Sequence, residues 1–336
     1  MDKWIIRLFL STIGMIVIAA GVHASNISRD MIDVMEEAVY TTNVVEYATD
    51  VDDISYTIDE DEDIYKPIEA EDVDETEVVF SVRESISILI LGIDIDGFET
   101  DEQGLPDSII VITVNPEEET TKMVSVPRDT RTEIVGMDFD DKINHAYSFG
   151  GTEMMIETVQ QILDIPIDYY AKVNMTGFQA LVDVVGGVEI NNDLDFTFDG
   201  IQFPLGTIHL NGAEALGFTR MRQDDPRGDF GRQQRQRLVI EALLNELTSL
   251  SDITQLGGIL DTAREHLDTN ITLDDGIAML FGGYREALEN IEHLQLLIGE
   301  GQIIDGIYYQ VLAYEEIENA RMTLRTHLGL VEEVFY

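Results

Sequence analysis

The chain has 336 residues, of which 44% are hydrophobic and none is cysteine. This length and hydrophobic content allow one large core or two modest ones, and the lack of cysteine excludes a disulfide, a thiol nucleophile and a cysteine-type zinc site. The formal net charge of −46, from 66 acidic and 20 basic residues, argues against general nucleic-acid binding, which needs a basic face.

The amino terminus carries an apolar run that predicts export from the cytoplasm. Two basic residues, Lys3 and Arg7, flank the start of the run, whose length of about 19 residues is close to that of a bilayer-spanning helix. Positive charge before the run predicts a cytoplasmic tail at residues 1–6, a transmembrane anchor at residues 7–24 and an extracytoplasmic remainder. A cleaved signal peptide is the alternative, because Val22-His23-Ala24 resembles a cleavage site.

Residues 25–84 are predicted to form an acidic linker. The stretch from residue 46 to residue 77 holds 15 acidic residues and one lysine. Because like charges repel, such a stretch folds poorly and serves well as an extended spacer. Calcium binding is the less favoured alternative, since the spacing of an EF-hand loop is absent.

From residue 85 onward, predicted strands and helices alternate. Runs rich in β-branched residues predict strands covered on both faces at 85–93, 108–115 and 122–126. Apolar residues at helical spacing predict helices at 151–163, 176–184, 229–250, 253–266, 273–288 and 314–330. Further strands are expected at 188–191, 294–298 and 302–311. This alternation predicts one α/β domain over residues 85–336, with no second boundary.

A cluster of arginines stands out in this acidic chain. Six of the 15 basic residues after residue 84 fall in one short segment: Arg220, Arg222, Arg227, Arg232, Arg235 and Arg237. The planar guanidinium binds phosphate oxygens in pairs, so the cluster predicts an anion site. The alternative is that the arginines pair with surface acids, and for Arg227, Arg235 and Arg237 the two interpretations are equally strong.

Local geometry favours the anion site. Asp229 is a plausible N-cap of the longest predicted helix, whose amino terminus would add free N–H groups and a positive dipole end. Arg232, Arg235 and Gln236 follow at spacings expected to place them on one face. Arg220 and Arg222 are expected to alternate along an extended segment and to point to one side.

Two aspartates at the ends of predicted strands are candidates for metal binding. Asp94 follows the first strand and Asp107 precedes the second, so neighbouring strands could bring their carboxylates together. Paired carboxylates beside a phosphate substrate suit Mg²⁺. Because aspartate is common at strand ends, the pattern alone does not distinguish a metal site from ordinary strand ends.

Five motifs, in order, resemble those of the LytR-CpsA-Psr family of Gram-positive cell-wall enzymes. They are Leu89-Ile90-Leu91-Gly92-Ile93-Asp94, Val124-Ser125-Val126-Pro127-Arg128-Asp129-Thr130, Lys142-Ile143-Asn144-His145-Ala146-Tyr147, Phe218-Thr219-Arg220-Met221-Arg222 and Asp225-Pro226-Arg227-Gly228-Asp229-Phe230-Gly231-Arg232-Gln233-Gln234-Arg235-Gln236-Arg237. The match covers residues 85–250. It implies a three-layer α/β/α sandwich with a mixed central sheet and an apolar tunnel for a polyprenyl chain, with residues 151–163 and 178–185 as candidate walls.

The resemblance also implies an activity. Members of the family transfer anionic glycopolymers, such as teichoic acid or capsular polysaccharide, from a polyprenyl diphosphate carrier to peptidoglycan. The product is a phosphodiester on the C6 hydroxyl of N-acetylmuramic acid. The expected partners are the lipid-linked glycan, peptidoglycan and the membrane, with no nucleic acid, and the expected location is the cell membrane, with a single span and an extracytoplasmic catalytic domain.

The resemblance assigns roles to individual residues. Asp94 and Asp107 would hold Mg²⁺, and the diphosphate would bind Arg128, Lys142, Arg220, Arg222, Arg232 and Gln236. The catalytic set would be Asp94, Arg128, Arg220 and Arg222. Members of the family usually carry arginine two positions before the second acid, where this chain has Leu105, which puts one phosphate contact in doubt. A polyprenyl diphosphate hydrolase and a non-catalytic regulatory protein of the envelope are the alternatives.

Overall fold

The computed structural model describes residues 84–95, 104–249, 253–272, 275–276, 279, 283–294 and 297–331. The predicted cytoplasmic tail and anchor lie outside these ranges, as does the predicted linker except for its last residue. Across the described ranges, no helix is long and apolar enough to cross a bilayer. All the described residues belong to one compact unit, Glu77–Tyr336.

Strands and helices alternate along the described chain. The strands are β1 (Ile86–Ile93), β2 (Pro106–Asn115), β3 (Thr120–Ser125), β4 (Arg131–Glu133), β5 (Asp140–Lys142), β6 (Tyr169–Asn174), β7 (Val188–Asn192), β8 (Phe196–Phe198), β9 (Ile201–Phe203), β10 (Gly206–Leu210), β11 (Leu267–Thr269), β12 (Ile291–His293), β13 (Glu300–Ile304) and β14 (Ile307–Val311). The helices are α1 (His145–Leu163), α2 (Met175–Val184), α3 (Gly212–Arg220), α4 (Asp229–Ser249), α5 (Ile253–His266), α6 (Arg285–Glu289) and α7 (Tyr314–His327).

The central sheet has six strands in the order β11-β6-β1-β2-β3-β12. β1, β2 and β3 form an antiparallel meander, whereas β6 is parallel to β1 and β12 is parallel to β3. The sheet is therefore mixed, as the family resemblance implied. Short two-stranded ribbons accompany it, formed by β4 with β5, β7 with β10, β8 with β9, and β13 with β14.

Helices cover both faces of the central sheet, which explains why its strands are nearly continuous apolar runs. On one face, Leu89 packs with Val159 of α1 and Leu324 of α7. On the other face, Ile110 packs with Leu288 of α6. Each fully buried leucine or isoleucine stabilises the fold by about 1.5–3 kcal/mol. The strands predicted to be covered on both sides are confirmed.

A second, smaller apolar cluster positions the helices that carry the arginines. Three phenylalanines form its centre, Phe196 of β8, Phe203 of β9 and Phe218 of α3, with ring centroids 4.8, 5.7 and 5.6 Å apart. Val239 of α4 packs in this cluster, while its neighbour Ile240 packs against the central sheet. α4 therefore joins the small cluster to the sheet.

The structure departs from the predicted elements at several places. α1 begins before residue 151 and breaks at Gly150 and Gly151, where a φ of +67° at residue 151 favours glycine. The strand predicted at 294–298 lies earlier, as β12. The single strand predicted at 302–311 is instead the β13–β14 hairpin, which turns at Asp305 and Gly306. The helix predicted at 273–288 lies partly outside the described residues.

Candidate functional site

The two candidate metal ligands lie at the same end of the central sheet. β1 runs antiparallel to β2, so the residue after β1 lies beside the start of β2. The register skips Asp107, because Gly92 pairs with Ser108 and Ile93 pairs with Pro106. Asp107 is therefore an unpaired bulge residue at the end of the strand pair where Asp94 follows β1. The sequence expectation that neighbouring strands bring the two acids to one place agrees with this register.

Arg128 reaches the same end of the sheet from β3. Since β3 is antiparallel to β2, residues 126–129 continue to the start of β2, where the Val126 N–H donates to the Ile109 carbonyl at 2.9 Å. Arg128 Nη1 donates a short hydrogen bond to Asp107 Oδ1. Burial alone would lower the pKa of Arg128, but the hydrogen bond and charge of Asp107 raise it. The guanidinium therefore stays charged.

Lys142 comes to the site at the end of the β4–β5 ribbon. Its Nζ lies 2.6 Å from Asp129 Oδ1, and the other oxygen of Asp129 lies 3.7 Å from Arg128 Nε. The chain after Lys142 is fixed by the Asn144 N–H, which donates to the Arg128 carbonyl at 3.3 Å. One aspartate thus faces two of the predicted diphosphate ligands.

The first turn of α4 carries Arg232 into the site. Arg232 Nη1 donates to the Asp107 carbonyl at 3.1 Å, and its Nε donates to Asp229 at 2.8 Å. Gln233 Nε2 donates to the other oxygen of Asp229 at 3.0 Å. Burial would raise the pKa of Asp229, but the hydrogen bond and charge of Arg232 lower it. Asp229 is therefore not the predicted N-cap: it is the first helical residue, and its carboxylate binds two side chains.

Arg220 and Arg222 flank the buried Met221. Arg220 is the last residue of α3, so the extended segment predicted there is wrong at this position. Its Nη2 lies 3.9 Å from Asp94 Oδ1, with both side chains about half exposed. Arg222 is exposed and forms no ion pair with the residues that the structure describes. Gln236 is half-buried on α4, one turn after Arg232.

The structure separates Arg227 and Arg235 from this group. Both bind the buried carboxylate of Asp225, Arg235 through Nη1 at 2.5 Å and Arg227 through Nε at 2.9 Å. The Arg235 guanidinium also lies over the rings of Phe196 and Phe218, 5.4 and 5.9 Å from their centroids. Arg235 thus points into the small apolar cluster, and the prediction that it shares a face with Arg232 is wrong.

Arg237 is buried, like Arg235, and its partners are side chains of the protein. Its Nη1 donates to Ser125 Oγ at 2.8 Å and its Nε to His293 Nδ1 at 3.2 Å. Burial lowers its pKa to about 10. Of the three arginines with two open interpretations, Arg227 pairs with the half-exposed Asp193, as the alternative of pairing with surface acids predicted. Arg235 pairs instead with the buried Asp225, and Arg237 binds Ser125 and His293 rather than an acid.

The site as a whole pairs basic with acidic groups. Arg128 pairs with Asp107, Lys142 with Asp129, Arg232 with Asp229 and, more loosely, Arg220 with Asp94. Asp129, Asp225 and Asp229 were not predicted from the sequence as partners of the basic residues. Their signal was in the motifs themselves, where an aspartate lies next to, two before or three before its arginine.

The carboxylates present fit a magnesium ion of limited protein coordination. No group of three or more acidic or histidine side chains is placed to hold a metal in the part of the chain that the structure describes. Mg²⁺ commonly binds one or two carboxylates and takes its remaining ligands from phosphates and water. Asp94 and Asp107 supply such a pair, so the donor set suits the ion.

The two segments assigned to tunnel walls pack in different places. Met155 and Val159 of α1 belong to the cluster under α7, whereas Val182 of α2 belongs to the small phenylalanine cluster. The apolar tunnel that the resemblance implied stays a prediction.

Comparison with known proteins gives consistent matches. The model of the LytR_cpsA_psr family matches residues 44–326. The polyisoprenyl-teichoic acid–peptidoglycan teichoic acid transferase TagU of Halalkalibacterium halodurans is 47% identical over 272 residues, 80% of this chain and 88% of that protein. The crystal structure of B. subtilis TagU superimposes with a TM-score of 0.60 at 39% identity, over 75% of this chain and 100% of that one. TagT bound to LIIa-WTA gives a TM-score of 0.62 at 31% identity, over 74% and 92% of the two chains.

Proposed function

The chain belongs to the LytR-CpsA-Psr family, and from this premise we infer that it transfers an anionic glycopolymer of the teichoic acid type from a polyprenyl diphosphate carrier to peptidoglycan. The observation that carries the inference is the convergence of Arg128, Arg220 and Arg232 on the end of the sheet that holds Asp94 and Asp107. Guanidinium groups at this density suit a diphosphate.

The chemistry follows from the charges. The acceptor hydroxyl, on C6 of N-acetylmuramic acid, attacks the phosphorus that bears the glycopolymer. A new oxygen–phosphorus bond forms, the bond to the second phosphate breaks, and polyprenyl phosphate leaves. The hydroxyl proton passes to Asp94, the more exposed of the two candidate metal ligands. Catalysis rests on positioning and on stabilising charge, as in other phosphoryl transfers.

The basic groups have separate tasks in this proposal. Arg232 is buried and tied to the Asp107 carbonyl, so it offers a rigid donor. Arg220 and Arg222 are exposed and can follow the phosphates during the reaction. Arg128 and Lys142 add two further cations, held by Asp107 and Asp129, and Gln236 lies one turn after Arg232 on α4.

Asp94 and Asp107 would hold Mg²⁺ in this site. The ion would supply positive charge to the diphosphate oxygens. The proposal is supported by the chemistry of the donor pair and is tested by calorimetric titration of Mg²⁺ in the presence of farnesyl diphosphate. D94N should weaken Mg²⁺ binding by about tenfold or more. Equal Mg²⁺ affinity in D94N and the wild type would contradict the assignment.

We further propose that residues 7–24 anchor the chain in the cell membrane with the catalytic domain outside the cytoplasm. The apolar run and the preceding basic residues support this location. Alkaline carbonate should leave the full-length chain in the membrane pellet, and protease added to cells stripped of their wall should digest the domain. Release of the chain by carbonate would contradict an uncleaved anchor.

The activity is tested most directly at Arg222. Because Arg222 is exposed and has no ion-pair partner within the described ranges, R222A should leave the thermal unfolding temperature unchanged. Loss of one donor to the transition state should lower transfer by about 10²–10³-fold. R285A is a control, since Arg285 is a half-exposed arginine that is paired with Glu289 on α6.

The assay follows labelled glycan from the lipid carrier to peptidoglycan oligomers. Transfer by the wild type, retention in R285A and loss in R222A are expected. Wild-type turnover by R222A would contradict the site. Release of labelled glycan into free solution would identify a hydrolase, and no turnover by the wild type would favour the non-catalytic alternative.

A further inference from the structure

Asp129 lies between two basic residues of the site and has no role in the proposed chemistry. Its Oδ1 lies 2.6 Å from Lys142 Nζ, and its Oδ2 lies 3.7 Å from Arg128 Nε. The second distance is too long for a hydrogen bond. Asp129 therefore contacts Lys142 directly, whereas it interacts with Arg128 only through charge. All three side chains are about one-quarter exposed.

The backbone around Asp129 is fixed from two sides. Its carbonyl accepts a hydrogen bond of 2.8 Å from the Gln310 N–H of β14, and the next residue, Thr130, is completely buried and bridges to Gln310. From the other side, the Ile143 N–H donates to the Thr130 carbonyl at 2.8 Å. The carboxylate therefore hangs from an immobile segment, whereas Lys142 has a flexible four-carbon side chain.

This arrangement leaves Lys142 with donors to spare. An ammonium group has three N–H donors, and Asp129 occupies one of them. The other two remain available to phosphate oxygens on the same side as Arg128. Without Asp129, the ammonium group would lose the only ion pair that the described residues provide for it.

We propose that Asp129 is a positioning residue of the transferase, which holds the Lys142 ammonium group in the place where it meets the diphosphate. The inference rests on the proposed function of the site. Asp129 itself does not touch substrate: both its oxygens face basic side chains of the chain.

The negative charge of Asp129 and its positioning of Lys142 have opposite effects on the affinity for a diphosphate. The direction in which the affinity changes therefore tests the proposal. A carboxylate beside a diphosphate repels it, so removal of the charge alone would tighten binding. Loss of the ion pair that orients Lys142 weakens binding instead. D129N keeps the shape of the side chain and one oxygen acceptor but replaces the contact between two charged groups with a weaker one, so it should weaken the affinity for farnesyl diphosphate by about tenfold.

A double-mutant cycle isolates the route through Lys142. We would measure the affinity of full-length wild type, D129N, K142M and D129N/K142M for farnesyl diphosphate by calorimetry. K142M should weaken binding by about tenfold or more, and D129N should then add less than about threefold in the K142M background. D140N is the matched control, since Asp140 pairs with the exposed Arg131 at 2.7 Å on the same ribbon, and it should bind like the wild type.

Three results would overturn the proposal: equal or tighter binding by D129N, wild-type affinity of K142M, or full additivity of the two substitutions. If D129N also lowered the unfolding temperature, the cycle would still decide, because a merely structural loss of affinity would persist in the K142M background. R222A separates this inference from the proposed function. Wild-type affinity of R222A for farnesyl diphosphate would contradict the proposed site. Weak binding by R222A together with normal binding by D129N would contradict only the role of Asp129.

Discussion

Replacing Asp225 with asparagine should destabilise the protein strongly, because it leaves a buried guanidinium without its counter-charge. The Asp225 side chain is completely buried, and that of Arg235 is 1% exposed. The carboxylate accepts 2.5 Å from Arg235 Nη1, 2.9 Å from Arg227 Nε and 2.9 Å from the Arg227 backbone N–H. An asparagine amide would keep one acceptor and turn a donor toward the arginines.

Two estimates set the magnitude. Burial alone would raise the pKa of Asp225, but the hydrogen bonds from Arg227 and Arg235 lower it to about 2 from 3.8. At 1.36 kcal/mol per pKa unit, this shift corresponds to about 2 kcal/mol of stability. Breaking a buried ion pair from one side typically costs about 3–5 kcal/mol. Protonation keeps the carboxyl group in place, whereas the substitution also turns a donor toward the arginines. The pKa shift therefore gives the smaller of the two values, and we expect D225N to lower the free energy of unfolding by about 3 kcal/mol.

The assay is guanidinium chloride unfolding of the full-length chain at pH 7 and pH 3. Because the folded-state pKa of Asp225 lies below the unfolded value, its contribution is fully present above the unfolded value and falls as pH drops toward 2. About 1 kcal/mol of the difference between wild type and D225N should therefore disappear at pH 3. D140N, which removes a surface acid, should cost less than about 1 kcal/mol. A decrease in the free energy of unfolding below about 1 kcal/mol for D225N at pH 7 would contradict the predicted role of Asp225. A difference from the wild type that is as large at pH 3 as at pH 7 would contradict it as well.

Two further predictions concern packing and buried charge. Gly231→Ala should destabilise the protein by about 2–3 kcal/mol, since a Cβ there would lie 1.8 Å from Asp225 Oδ2 and must displace the carboxylate from Arg235; unfolding like that of the wild type would contradict this. His327 is buried between the hydroxyls of Thr113 and Thr120, at 2.7 and 2.9 Å, and burial, aided by the charge of Lys122, lowers its pKa to about 4. Because the folded pKa lies below the unfolded value of 6.5, this contribution is present above pH 6.5 and is lost as pH falls toward 4. The wild type should lose roughly 2–3 kcal/mol more than H327Q between pH 7.5 and pH 4.5, measured by the same unfolding assay, and parallel pH profiles would exclude the effect.

In the central sheet, the hydrophobic pattern predicted the strands that are nearly continuous apolar runs and missed a strand that contains a lysine. β1, β2 and β3 are nearly continuous apolar runs, and their positions follow from the sequence. β6 escapes prediction because Lys172 interrupts it. In the fold, that lysine lies 2.5 Å from Asp268 of β11, a strand that follows about 100 residues later. Partners that are distant in sequence make a lysine acceptable at that position.

The arginines show a similar limit. Composition and spacing indicate that arginines gather, but not which of them face a ligand. Arg232 and Arg235 are one turn apart on α4, yet Arg232 reaches the Asp107 carbonyl and Arg235 reaches Asp225. The deciding partner of Arg235 lies in the loop before the helix, outside its periodicity. The family resemblance assigned a role in binding to Arg232 and none to Arg235, because a motif carries information on tertiary neighbours that helical spacing lacks.

The net charge of the site bears on whether the reaction needs a metal ion. Four basic groups pair with four acids: Arg128 with Asp107, Lys142 with Asp129, Arg220 with Asp94 and Arg232 with Asp229. Arg222, two residues after Arg220, adds a fifth basic group that has no ion pair within the described residues. The site thus has only one net positive charge, inside a protein of net charge −46. A diphosphate diester carries two negative charges, so the basic residues alone do not neutralise it. A divalent cation on Asp94 and Asp107 would leave the site with three net positive charges, enough to bind the diphosphate and to stabilise the charge that develops as polyprenyl phosphate leaves. The four acids weaken the attraction of the site for an anion. They are therefore the reason to expect that the site depends on a metal ion.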